Sequence, residues 1–183
     1  EGVNGWFLIK LFEDNFYRYD PANYHGPLLY YIGLIPFYLT GVSTFSLRVM
    51  GSLFGSLMVI LLVPLRRQMG WSGTISTGIL IALSPSCVFY SRYAIHETYL
   101  VFFTLALVVA GEAFLRSRKS SYFYAIAASM AFIVCLKETY IITFGVLGMS
   151  LALSWIGKFI FPLKGHAPEL TFADSKKEII EAG

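Results

Sequence analysis

Residues 68–91, QMGWSGTISTGILIALSPSCVFYS, contain no aspartate, glutamate, lysine or arginine. Three further stretches share this property, residues 98–111, 120–136 and 139–157, and short charged segments separate all four. Apolar segments near the length of a bilayer crossing, joined by charged turns, are typical of a polytopic membrane protein. The sequence therefore predicts an all-α fold, a transmembrane helix bundle.

The composition supports this prediction and excludes nucleic acid as a partner. Hydrophobic residues make up 56% of the chain and charged residues only 14%, against roughly 25% charged in soluble domains. The net charge is +3, but the basic residues form small clusters beside apolar spans rather than one continuous face. Membrane lipid is the predicted surrounding.

Neither a metal site nor a cofactor is predicted. The two cysteines, Cys87 and Cys135, lie inside apolar runs without CxxC or Cys/His spacing, so free thiols are expected. The chain starts at Glu1 without a recognisable signal peptide. We expect an internal fragment of a longer protein.

The positions of lysine and arginine predict the topology. Basic groups follow alternate spans, and the positive-inside rule places all of them in the cytoplasm: Arg66, Arg67, Arg116, Arg118, Lys119, Lys158, Lys164, Lys176 and Lys177. About five crossings within a bundle over residues 46–161 follow, at about 46–65, 73–91, 98–115, 122–136 and 139–161.

The flanking segments follow from the same orientation. Residues 1–27 are predicted to be an extracytoplasmic loop, and residues 28–41 an interfacial or re-entrant helix, since this segment is too short to cross. Residues 162–183 are predicted to be a cytoplasmic linker with at most a short helix over 175–182.

Three motifs contain the candidate functional residues, because charge near hydrocarbon is costly and is usually kept for function. The first is Tyr19-Asp20-Pro21-Ala22-Asn23-Tyr24-His25-Gly26-Pro27. Its prolines, glycine and Asp/Asn residues predict a structured turn that displays His25. The alternative is that these residues only form the turn and that His25 is a surface residue.

The second motif is the outer turn Ser91-Arg92-Tyr93-Ala94-Ile95-His96-Glu97. An arginine at this place can bind a phosphate with two hydrogen bonds, and the carboxylate can orient it. The alternative is an ion pair between Arg92 and Glu97 that only closes the turn.

The third motif is Leu136-Lys137-Glu138-Thr139, which places a charged pair between two apolar runs. Lys137 carries a point charge suited to phosphate. The alternative is a short hairpin whose lysine reaches into the headgroup region.

Taken in order, these motifs resemble the protein O-mannosyltransferase-like group of the C-type membrane glycosyltransferase superfamily, particularly its prokaryotic flippase-associated N-glycosylation branch. The resemblance runs from Glu1 to about Thr139. It also includes Leu47-Arg48 and Gly51-Ser52-Leu53-Phe54-Gly55. Members carry an Asp-Glu pair in the first outer loop, and Glu1 looks like its second residue. Glu97 stands where Asp is commoner.

The resemblance implies transfer of a sugar from a polyprenyl-phosphate donor to a glycan or protein acceptor at the extracytoplasmic face of the plasma membrane. Glu1 would lie beside the catalytic base, and His25 would shape the substrate pocket. Arg92 and Lys137 would offset the charge of the leaving phosphate, with Glu97 orienting Arg92. We expect the fragment alone to be inactive. A flippase component or transporter that binds the same phosphate without catalysis remains the alternative.

Overall fold

The computed structural model describes residues 1–18 and 25–160. Its α-helices are α1 (Gly2–Asp14), α2 (Leu28–Thr40), α3 (Thr44–Leu61), α4 (Arg66–Leu83), α5 (Pro85–Ser91), α6 (His96–Ser117), α7 (Ser120–Leu136) and α8 (Tyr140–Ile160). A short 3-10 helix, Val63–Leu65, precedes α4. The described residues contain no β-strand, which confirms the predicted all-α fold.

Three helical segments are long and apolar enough to cross a membrane: Thr44–Leu83, His96–Ser117 and Tyr140–Gly157. Leu28–Thr40 and Ser120–Leu136 are apolar but shorter. The chain is thus an integral membrane protein, while the five crossings and their orientation stay predictions. α2 has 13 residues and is about 20 Å long at 1.5 Å per residue, which is less than the hydrocarbon thickness.

The second predicted span, residues 73–91, is interrupted by Pro85. α4 ends at Leu83, Ser84 has an extended backbone, and Pro85 opens α5. A proline cannot donate the backbone hydrogen bond that a continuous helix needs, but it is tolerated in a first turn. α4 is itself broken at Gly70, whose φ is 72°.

α1 lies within residues 1–27, which were predicted to be a loop without a helix. Leu8 and Leu11 are its buried apolar residues. A Cβ on Gly33 of α2 would lie 3.0 Å from Leu8 Cδ1, so the two helices approach closely. The helix ends at Asp14 and is capped by Asn15, whose φ of 57° is a left-handed conformation that asparagine tolerates.

Two glycines of α3 hold the outer turn in place. A Cβ on Gly51 would lie 2.9 Å from the Ser91 carbonyl oxygen, and one on Gly55 would lie 2.5 Å from Ser91 Cβ. The missing side chains let α3 pack against the segment that contains Arg92. Phe54, between these glycines, packs on Phe102 and Phe103 of α6.

The chain divides into two compact units, residues 1–141 and 142–183. Most of α8 belongs to the second unit, and this helix is long and apolar, as expected of a helix in lipid. The predicted cytoplasmic linker, 162–183, lies outside the described residues, as do residues 19–24 of the first motif.

Candidate functional site

An ion pair joins the second and third motifs. Lys137 Nζ lies 2.8 Å from Glu97 Oε1. Lys137 follows the last residue of α7 with an extended backbone, and Glu97 lies in the first turn of α6. Since the lysine side chain is only 19% exposed, the carboxylate compensates a charge that is mostly withdrawn from solvent.

The first motif joins the same cluster through its backbone. His25 and Lys137 form an antiparallel bridge, and the Gly26 amide donates to the Leu136 carbonyl at 3.0 Å. A Cβ on Gly26 would overlap the Cys135 carbonyl oxygen. Only glycine lets the chain pass this close to the end of α7, so His25 is placed beside Lys137 by backbone contact.

The ring of His25 meets the ring of His96. His96 belongs to the second motif, but no role was predicted for it. The ring centroids are 4.2 Å apart in an edge-to-face arrangement. His96 is 1% exposed. Within the described part of the chain its ring nitrogens make no hydrogen bond of good geometry, although the Gly26 backbone lies beside the ring. The sequence feature that could have identified His96 is its position next to Glu97 at the start of a predicted span.

A second ion pair holds Glu1. Arg48 Nε and a terminal nitrogen donate to the two carboxylate oxygens at 2.6 and 2.7 Å. These hydrogen bonds are the main reason that the pKa of the Glu1 carboxyl lies below its ordinary value. The Arg48 guanidinium also lies 5.4 Å from the centre of the Tyr93 ring, so it contacts the outer turn as well.

A buried polar link connects the two ion pairs. Asn4 Nδ2 donates to the Ala94 carbonyl at 2.8 Å, and the Tyr30 hydroxyl donates to Asn4 Oδ1 at 3.1 Å. The Tyr30 ring in turn packs 5.6 Å from His96. Sequence reasoning missed Asn4 and Tyr30, because they lie 26 residues apart and only the tertiary structure pairs them.

Arg92 differs from the other predicted residues. Its side chain is exposed, and within the part of the chain that the structure describes it makes no ion pair. Glu97 pairs with Lys137 instead, so the interpretations in which Glu97 pairs with or orients Arg92 do not match the structure. Among residues 1–18 and 25–160, Arg92 is therefore an exposed cation at the outer turn without a carboxylate partner.

The arrangement provides an ionised carboxylate, cations and a pair of imidazoles at one end of the first unit. We call these residues the outer cluster: Glu1, Asn4, His25, Tyr30, Arg48, Arg92, His96, Glu97 and Lys137. Cations of this kind can bind a phosphate, and a carboxylate or imidazole can accept a proton. No group of three metal-ligating side chains occurs among the described residues.

Comparison with known proteins gives one family. The family model for dolichyl-phosphate-mannose-protein mannosyltransferase matches residues 22–168. The match includes four of the five predicted site residues, His25, Arg92, Glu97 and Lys137, and leaves Glu1 outside. No curated protein and no solved structure matches the chain significantly.

Proposed function

The chain belongs to the dolichyl-phosphate-mannose-protein mannosyltransferase family, and we propose that its outer cluster transfers a sugar from a polyprenyl-phosphate donor to a glycan or protein acceptor. The family makes it a membrane glycosyltransferase of the mannosyltransferase type. The donor class, the extracytoplasmic face and a place in the plasma membrane are parts of this proposal.

The observation that carries the proposal is the pairing of charges around Arg92. Lys137 and Arg48 already have carboxylate partners, whereas Arg92 is exposed at the turn between them. The negative charge that develops on a phosphate leaving group is best stabilised by a cation that a carboxylate does not already neutralise. Arg92 is that cation, and Lys137 adds positive charge from a position fixed by Glu97.

Glu1 and the histidines have different roles in this proposal. Arg48 keeps the Glu1 carboxylate ionised, which is the state that a general base or an acceptor-orienting group requires. His25, held beside Lys137 by the backbone bridge, shapes the pocket wall together with His96. A lipid-borne donor would reach the cluster from the bilayer, since the helices around it expose apolar side chains.

The test is sugar transfer by the full-length protein in proteoliposomes. Radiolabelled polyprenyl-phosphate mannose is supplied with an acceptor, and the product is counted. Arg92→Ala should lower the rate about 10²-fold, the scale of losing one charge-stabilising group in a transition state. Lys119→Ala is the matched control, because Lys119 is another exposed cation but lies between α6 and α7 outside the cluster.

Undiminished transfer by Arg92→Ala would remove the role of this arginine. Donor binding without any turnover in the unmodified protein would favour the non-catalytic alternative, a carrier or flippase component. Addition of donor on one side of sealed vesicles tests the proposed face, because only the correct side should support transfer.

A further inference from the structure

A second charged site lies away from the outer cluster, in a cavity of about 320 Å³. We call it the basic cavity. It is formed by the 3-10 helix Val63–Leu65, the start of α4, the last turns of α6 and the start of α7. Its polar lining includes Arg66, Arg67, Glu112, Arg116 and Tyr122. Its volume is at the lower end of the range for small-ligand sites, about 300–1,000 Å³.

The lining is positively charged after internal pairing is taken into account. Arg116 Nε donates to Glu112 Oε1 at 3.0 Å, which neutralises one arginine. Within residues 1–18 and 25–160, Arg66 and Arg67 have no ion pair. The Arg66 guanidinium stacks on Trp71, 4.9 Å from the ring centre, which holds it without neutralising it. Two positive charges are thus available in the cavity.

The basic cavity lies at the far end of α6 from the outer cluster. Glu97 and Arg116 lie in the first and last turns of this helix. Nineteen residues at 1.5 Å each separate them by about 28 Å, close to the roughly 30 Å of a hydrocarbon core. A helix that spans the bilayer would therefore bring one site to each interface.

The surroundings favour a lipid as the source of the ligand. Large apolar side chains close in sequence to the residues that line the cavity are more than half exposed: Ile60, Leu115 and Phe123. Trp71 is also exposed, and tryptophan is typical of the headgroup level. Basic pockets between membrane helices bind anionic headgroups, and arginine forms paired hydrogen bonds with phosphate.

From this geometry we propose that the basic cavity binds a phosphate group, supplied by the headgroup of an anionic phospholipid. Arg66 and Arg67 contact the phosphate oxygens, and the Tyr122 hydroxyl donates a further hydrogen bond. The proposal is independent of the sugar transfer proposed above, since it uses neither the residues nor the interface of the outer cluster.

The experiment measures lipid retention by native mass spectrometry on the protein purified in detergent. Phosphatidylglycerol, phosphatidylcholine and inorganic phosphate are titrated separately. The double variant Arg66→Gln, Arg67→Gln should bind phosphatidylglycerol about tenfold or more weakly, since it loses two charged hydrogen-bond donors. Circular dichroism checks that the variant is folded, and Arg67→Gln alone replaces it if it is not.

The matched control is Arg118→Asn, Lys119→Gln. It removes the same charge from the neighbouring turn, but neither residue lines the cavity. Asparagine suits position 118, where φ is 52°. Near-normal phosphatidylglycerol binding by this control, with weak phosphatidylcholine binding, supports the proposal.

Three results would overturn the proposal. Equal loss of binding in the two double variants would indicate diffuse attraction to the basic turns. Unchanged binding in the cavity variant would place the lipid elsewhere. Saturation by inorganic phosphate at concentrations where phosphatidylglycerol does not bind would make the ligand a soluble phosphate rather than a lipid.

Discussion

The outer cluster and the basic cavity contain similar side chains but pair them differently. In the outer cluster, Glu1 pairs with Arg48 and Glu97 with Lys137, across 47 and 40 residues of sequence. In the basic cavity, Glu112 pairs with Arg116 on the next turn of the same helix. The two ion pairs of the outer cluster depend on the assembly of several helices, whereas the Glu112–Arg116 pair forms within one helix.

This difference predicts which site is sensitive to the fold. A local i,i+4 pair forms wherever its helix forms and is worth only a few tenths of a kcal/mol. A long-range pair with a mostly buried member leaves that charge uncompensated when its partner is lost. Changes to packing should therefore disturb the ion pairs of the outer cluster and leave the Glu112–Arg116 pair nearly intact.

The largest expected effect comes from Gly26→Ala. The added Cβ would overlap the Cys135 carbonyl oxygen, so the backbone bridge between His25 and Lys137 must open. We expect a loss of about 1–3 kcal/mol in the free energy of unfolding, the usual cost of overpacking, together with loss of transfer activity. Denaturant titration in detergent measures the first, and the proteoliposome assay the second.

Gly111→Ala is the control for this change. A Cβ on Gly111, in the middle part of α6, would meet nothing within 4 Å, and alanine favours a helix more than glycine does. Stability should stay the same or rise slightly. If Gly26→Ala were as well tolerated as Gly111→Ala, the close contact at the end of α7 would not position His25.

A smaller effect separates the two kinds of ion pair. Glu97→Gln should cost about 1 kcal/mol, because it leaves Lys137 without its carboxylate although the Glu97 side chain is partly solvated. Glu112→Gln should cost about 0.3 kcal/mol, because the Arg116 side chain that it leaves unpaired is 39% exposed and stays solvated. Chemical unfolding of both variants in one detergent gives the comparison, and equal losses would contradict the distinction drawn here.

The smallest effect is a pH dependence at Glu1. Arg48 lowers the pKa of this carboxyl in the folded protein. At a given pH near the pKa, the folded state therefore binds fewer protons at this group than the unfolded state does. Its stabilisation is therefore fully present above the unfolded pKa, which is 4.5 for an ordinary glutamate, and is lost as the pH falls from there through the folded pKa. The stability difference between the native protein and Glu1→Gln, followed by thermal unfolding, should shrink over this range.

A difference between these two proteins that stayed constant from pH 7 to pH 3 would mean that the carboxylate charge contributes nothing to folding. Glu112→Gln serves as the comparison variant in this experiment too.

Much of the helical architecture was predictable from the uncharged stretches. The runs at 98–111 and 120–136 lie in α6 and α7, and Pro85 marks the break before α5. α1 was not predicted, because residues 1–14 mix Lys10, Glu13 and Asp14 with apolar residues and do not resemble a span. Its buried face is evident only against α2.

The candidate site was predictable as a set of residues but not as a set of partners. His25, Arg92, Glu97 and Lys137 were identified from their types and positions, and Glu1 from the resemblance to the family. Three of them, His25, Glu97 and Lys137, meet in the structure. Arg92, five residues from Glu97 in sequence, was predicted to be its partner. This prediction was wrong, because Glu97 pairs with Lys137. Lys137 is far away in the chain, and nothing local indicates that it is close in space.

By itself, then, the sequence determined the helical membrane class and the membership of the family, because hydrophobic runs and ordered motifs are properties of the linear chain. Only the tertiary structure decided which charges are paired, that His96 is buried against His25, and that Arg66 and Arg67 share a cavity with Arg116. These contacts depend on how helices far apart in sequence pack. Glycines such as Gly26 and Gly51 permit that packing, because a Cβ at either position would clash with the neighbouring backbone.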